Sequence, residues 1–185
     1  VDVNKVKKDG KLAMIHEMMM ANGIDPIDKK MCNTTKIDAI RDLIKDLNGE
    51  KVIVWYHFKL FGEALHEAFP DALYVPGGSS AEHKMETVEK FKGDNQILIA
   101  SQASLGTGVN MQFCRYDIHS NIWYDSVMFD QTKGRIYRTG QTKRVVSHLI
   151  VGDGTIEKDV LEVLRLKMSL RKAENYLVGV KQLRD

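Results

Sequence analysis

Val52-Ile53-Val54-Trp55-Tyr56 marks the point where the pattern of the chain changes, from apolar residues recurring every three to four positions to an unbroken β-branched and aromatic run. Such a run predicts a strand buried on both faces of a parallel sheet. Upstream, Ile37, Ile40, Leu43, Ile44 and Leu47 share one face of a helix expected over 36–47, with Thr35 as its N-cap and Asn48-Gly49 as its stop. Earlier still, Leu12, Ile15, Met18 and Met19 predict a helix over 11–22, the run Met18 to Met20 reading as packing filler.

Downstream the alternation repeats. The pattern predicts a helix over 60–68, a strand over 72–75, a Pro76-Gly77-Gly78 turn, a helix over 80–91 and a strand over 97–100. A Gly-rich turn through Gly106 and Gly108 follows, then a strand near 116–122, a helix carrying Arg135 and Arg138, and a strand over 145–151. The last helix is expected to start after Gly154, capped by Thr155, with Glu157 and Asp159 in its first turn and Ile156, Val160, Val163, Leu164 and Met168 as its apolar set. Strands alternating with helices mean βαβ units with right-handed crossovers. The reading is one doubly wound α/β domain over 1–185, with a helical lead-in over 1–35, a core over 36–152 and a C-terminal helix and tail over 153–185.

Composition sets the outer limits. At 185 residues, 43% hydrophobic and 28% charged with three prolines, the chain reads as one folded domain. A net charge of +2 is too small for bulk attraction to nucleic acid, so any such contact must come from local placement. Cys32 and Cys114 fit no metal-ligand spacing and read as reduced thiols. No membrane span or leader is evident, and a cytoplasmic location is expected, in a bacterial host if the protein is phage-encoded. Val1 in place of methionine suggests a piece of a longer protein.

Three segments carry chemistry. In Gln131-Thr132-Lys133-Gly134-Arg135-Ile136-Tyr137-Arg138-Thr139-Gly140-Gln141, two arginines three apart would share a helix face. Two guanidiniums aimed at one point suit a polyphosphate, because each presents a planar fork of donors and keeps its charge. A solvated basic helix end is the plainer reading of an arbitrary R-x-x-R. Ser101 to Asn110, with Gly106 and Gly108, follows a parallel strand at the edge where ligands of α/β sheets gather. Pro76-Gly77-Gly78-Ser79-Ser80 leads into a helix N-terminus, a natural phosphate site and equally a plain turn and cap.

Read together, these segments resemble the second lobe of superfamily 2 ATPases, in the form of the Swi/Snf-type DNA translocases and their phage and bacterial relatives. The stretch 131–141 is similar to motif VI, Q-x-x-G-R-x-x-R-x-G-Q, and 101–110 to motif V, with Leu105 where a glycine is common. Val52 to Phe58 resembles motif IV, and Gly154-Thr155-Ile156-Glu157 the G-T-I-E helix after motif VI. Trp123 falls near the W-N-P element of eukaryotic remodellers, but Tyr124-Asp125 replaces the continuation.

The resemblance implies a RecA-like, P-loop NTPase-type three-layer sandwich with a mostly parallel sheet. It implies that Arg135 and Arg138 act as fingers on the γ-phosphate of ATP, with Gln131, Gly106, Gly108 and Asn110 beside the nucleotide. Ser101, Gln102, Gly78 and Ser79 would touch the backbone of duplex DNA. The chain contains no G-x-x-x-x-G-K-[ST] or D-E-x-H sequence, so ATP and Mg²⁺ would be held mainly by a first RecA-like lobe, and this lobe alone would not hydrolyse ATP. Two alternatives stand beside this reading: a non-catalytic nucleic-acid-binding or interaction module with a helicase-like fold, and an RNA helicase lobe, which the Gly-Gln ending disfavours.

Overall fold

The computed structural model describes residues 3–105 and 109–182. Its elements run α1 (Val3–Ala21), β1 (Ile24–Asp25), β2 (Lys30–Met31), α2 (Thr35–Asp46), β3 (Val52–Tyr56), α3 (Lys59–Ala68) and β4 (Leu73–Val75). They continue with α4 (Ala81–Lys92), β5 (Ile97–Ser101), α5 (Gln102–Leu105), β6 (Tyr116–His119), α6 (Ser126–Ile136), β7 (Val146–Leu149) and α7 (Glu157–Gln182). Five strands form a parallel sheet in the order β4-β5-β3-β6-β7.

The central strand β3 shows why the layers form. Every residue of it is buried, and successive side chains leave the sheet on opposite faces. Val52, Val54 and Tyr56 join Ile37, Ile40 and Ile44 of α2 and Phe61 and Leu65 of α3. Ile53 and Trp55 join Val88 and Phe91 of α4, Leu105 of α5 and Ile136 of α6. A third cluster, Met18, Ile122, Val160 and Leu164, packs α1 against α7. The result is the expected three-layer α/β sandwich.

Several local expectations need correction. Thr34, not Thr35, occupies the N-cap of α2; Asn33 Oδ1 accepts from the Thr35 amide at 2.7 Å and so satisfies the helix start. The helix stop is as read, with Asn48 and Gly49 both at positive φ. The strand expected near 116–122 ends at His119, because Ser120 and Asn121 turn into a polar network. The hairpin β1-β2 is too short to show an alternating pattern; its turn is built by Asp25, whose Oδ1 accepts from the amides of Ile27 and Asp28.

Glu157 departs most from expectation. It is fully buried, not a solvated charge at a helix start. Its Oε1 accepts from Lys36 Nζ at 2.5 Å and from Asn22 Nδ2 at 3.0 Å, and its Oε2 accepts from the Gly152 amide at 2.7 Å. Lys36 also donates to Asn22 Oδ1, Ser120 O and Ile150 O. Burial lowers the Lys36 pKa below its usual range, with Glu157 opposing the shift. One ion pair thus ties α1, the start of α2, the exits of β6 and β7, and the start of α7.

Removing one partner leaves the other buried and uncompensated, so Lys36→Met and Glu157→Gln are each expected to cost about 3–5 kcal/mol in urea unfolding. Lys36→Met/Glu157→Gln should cost clearly less than the sum of the two, since one loss accounts for most of the other. Additive costs would show that the two groups act independently.

Candidate nucleotide and nucleic-acid site

The segment after β5 passes two constellations. The first lies at the carboxyl ends of β4 and β5. Gly78 has a φ of +80°, a left-handed conformation that glycine adopts without strain, and this folds 76–79 back over Ser104. Ser104 is buried and pins the turn: its Oγ accepts from the Gly78 amide at 3.1 Å and donates to Pro76 O at 2.9 Å. Ser79 Oγ donates to the same carbonyl at 2.8 Å, and Ser80 Oγ caps α4 by accepting from the His83 amide. Gly77 and Gly78 are left exposed.

Ser101 and Gln102, expected at a DNA backbone, are instead turned inward, each only 6% exposed. Gln102 starts a buried polar chain. Its Nε2 lies 3.4 Å from His119 Nδ1, His119 Nε2 lies 3.1 Å from Asp117 Oδ2, and Trp55 Nε1 donates to that same oxygen at 3.1 Å. An imidazole carrying its proton on Nε2 donates to Asp117 Oδ2 and accepts from Gln102, while Asp117 Oδ1 is left without a hydrogen-bond partner. These side chains hold α5 against the sheet and set the height of the turn above it.

The second constellation joins α6 to the continuation of the same segment. The expected shared helix face does not form, because α6 ends at Ile136 and Arg138 sits in the bend beyond it. The Arg138 amide donates to Ile136 O at 3.1 Å, tightening the chain after the Tyr137 amide has closed the last helical turn on Lys133 O. Convergence comes by another route. Arg135 Nη1 donates to Val109 O at 3.4 Å, Arg135 O accepts from the Met111 amide at 3.0 Å, and Arg138 Nη1 donates to Asn110 Oδ1. Arg138 and Asn110 are exposed, Arg135 is half-buried, and Gln131 is exposed on α6 one turn before Arg135. Gly106 and Gly108 lie outside the described residues.

Two glutamines reveal roles that the motif spacing did not. Gln141 Nε2 donates to Gln112 O at 2.8 Å and Cys114 O at 2.9 Å, while its Oε1 accepts from the Lys143 amide. The turn that ends the arginine segment is thereby clamped to the approach of β6. Beside it opens a cavity of about 520 Å³ lined by Tyr137, Arg138, Thr139, Gln141 and Lys143. Trp123 stacks on His57 with ring centroids 4.7 Å apart, and Cys114 is buried with its thiol pushed up to about 12, which leaves it unreactive. Among the described residues no cluster of His, Cys, Asp and Glu could hold a metal ion, and no helix is long and apolar enough to cross a membrane.

Comparison with known proteins places these features in context. The helicase conserved C-terminal domain model matches residues 35–140, from the start of α2 to the glycine after the second arginine. The ATP-dependent helicase YqhH of Bacillus subtilis is 27% identical over 168 residues, covering 89% of this chain and 30% of that protein. The DNA repair protein RAD5 of Candida glabrata is 26% identical over 177 residues, covering 89% of this chain and 15% of RAD5. The crystal structure of the C-terminal part of the Fun30 ATPase domain superposes with a TM-score of 0.65 at 24% identity, over 70% of this chain and 44% of that one. This chain therefore spans less than a third of either curated relative.

Ser104→Ala removes the bond to the Gly78 amide and the donor to Pro76. It should lower stability by about 1 kcal/mol. Hydrogen exchange at Gly78 should accelerate several-fold with little change at β3, and uniform acceleration would mean that the turn is not separately pinned.

Proposed function

This chain belongs to the helicase conserved C-terminal domain family, as a second RecA-like lobe of Swi/Snf type, and we propose that it completes the ATP site of a DNA translocase. The observation that carries this reading is the meeting of Arg135 and Arg138 with Val109 and Asn110, which joins the arginine segment to the segment that leaves β5. ATP and Mg²⁺ would be held mainly by a first lobe of the same polypeptide. Arg138, exposed and one bond from release, swings from Asn110 to the γ-phosphate and stabilises the charge that spreads over its oxygens during transfer. Arg135, held on Val109 O, keeps the last turn of α6 at the cleft. Gln131 and Asn110 flank the nucleotide.

On the DNA side, the exposed Gly77-Gly78-Ser79 turn meets a strand of the duplex through backbone amides. Ser101 and Gln102 act beneath it as supports, in keeping with their burial. Contacts of this kind grip phosphates and carry little sequence information. Stepping follows if the ATP-bound and ATP-free arrangements of the two lobes place that turn at different positions along the backbone.

DNA-stimulated ATP hydrolysis by the full-length protein tests the assignment. Arg138→Ala should lower kcat by about 10³-fold or more, within the range of a lost arginine finger, while nucleotide-free DNA binding stays near wild type. Unchanged turnover would overturn it. DNA affinity should fall linearly in log–log form with salt, with a slope of about −0.9 for each phosphate contacted, and should vary little between unrelated duplexes.

A further inference from the structure

We infer that the Tyr137 ring is the platform on which the nucleoside part of the bound ATP packs, a role that rests on the proposed finger function of Arg138. Tyr137 is 77% exposed, although a tyrosine ring has much apolar surface to hide. It stands between two concavities. On one side is the cationic cavity with Arg138 and Lys143. On the other is a cavity of about 490 Å³ lined by Asp130, Lys133, Gly134, Tyr137, Val145 and Ser147, within the roughly 300–1,000 Å³ of ligand clefts.

Cationic side chains line both, Arg138 and Lys143 the first and Lys133, with Asp130 beside it, the second. From Gln131 to Val151 the chain carries Lys133, Arg135, Arg138, Lys143 and Arg144 and no acidic residue, in a protein whose net charge is only +2. Phosphates belong on the side of Arg138 and Lys143, and the base and ribose across the ring, where Val145 offers apolar surface and Ser147 a hydroxyl.

Gly134 supplies an independent observation. Glycine weakens a helix, so one inside α6 calls for a reason. Packing provides none, since a Cβ built there meets no atom within 4 Å. Gly134 is exposed and lines that same cavity beside Tyr137, where a larger side chain would enter it.

The test is steady-state, DNA-stimulated hydrolysis by the full-length protein, with inorganic tripolyphosphate as a competing inhibitor that has phosphates but no nucleoside. Tyr137→Ala should raise KM for ATP about tenfold, in line with loss of one aromatic-base stack, with kcat changed less than about threefold. The tripolyphosphate inhibition constant should not move, and Tyr137→Phe and Tyr137→Trp should restore KM. Gly134→Leu, which favours the helix and fills the cavity, should raise KM for ATP in the same selective way even if Tyr137→Ala failed to fold. A KM within twofold of wild type for both Tyr137→Ala and Gly134→Leu would overturn the inference. So would a parallel rise in the tripolyphosphate constant, which would place Tyr137 among the phosphate contacts. Arg138→Ala in the same assay separates the two ideas: loss of turnover there with an unmoved KM in the others sinks only the platform, while unchanged turnover there sinks the finger itself.

Discussion

A single buried ion pair, Lys36 with Glu157, sets the frame in which the rest is held. Its carboxylate is fully buried and its ammonium nearly so, and all of their bonds except the local one from the Gly152 amide cross between different elements of the fold. Two carbonyls just beyond strand ends, those of Ser120 and Ile150, converge on the Lys36 ammonium. An ammonium answers both, and a carboxylate then offsets its charge, which is why the pair is found buried despite the cost of desolvating it. The pair fixes where β6 and β7 end, and α6, with the arginines at its far end, is strung between those two strands.

That frame separates two working surfaces and connects them by a short path. The Gly78 turn rests on Ser104 in α5, and α5 leads through a few residues to Val109 and Asn110, which meet Arg135 and Arg138. The buried chain from Gln102 through His119 to Asp117 and Trp55 resists displacement of α5 relative to the sheet and gives it a discrete resting position. Asp117 Oδ1 is buried there without a partner, so this chain is under-satisfied and correspondingly open to rearrangement.

What could be read from the amino-acid order follows from how local each cause is. The β3 run was legible because burial on both faces leaves no polar residue in five positions, and Asn48-Gly49 because a left-handed helix stop demands those residue types. The arginine segment was read through its flanking glutamines and Gly-Gln turn, which resemble motif VI, since R-x-x-R alone reads as a solvated helix end. Its geometry was not legible: the spacing suggested one helix face, whereas a turn ends α6 between Arg135 and Arg138. Glu157 looked like a helix-dipole residue since nothing local marks a carboxylate whose partner lies 121 residues away. Ser101 and Gln102 were read as DNA contacts from the similarity to motif V, and their burial follows from long-range packing, with Gln102 meeting His119 of β6, that the local sequence does not mark. Ser104 and Gln112 left no signal, being ordinary residues that matter through backbone groups brought near by the fold.

Placing Arg138 beyond the helix has a physical consequence. A finger on a helix would inherit rigidity from the i to i−4 ladder, but its reach would be confined to the helix face. In a turn it gains reach and would ordinarily lose order, with up to about 2 kcal/mol of side-chain entropy to be given up on binding. Gln141 changes that balance. By bonding two carbonyls of the approach to β6 and accepting from Lys143, it fixes the backbone on the far side of Arg138, while the closing bonds of α6 fix the near side. Asn110 Oδ1 then accepts from the guanidinium itself. On the proposed reading a triphosphate oxygen, carrying full charge where an amide carries a partial one, would be a better acceptor than Asn110, and the exchange of partners would not require the backbone that carries the arginine to reorganise.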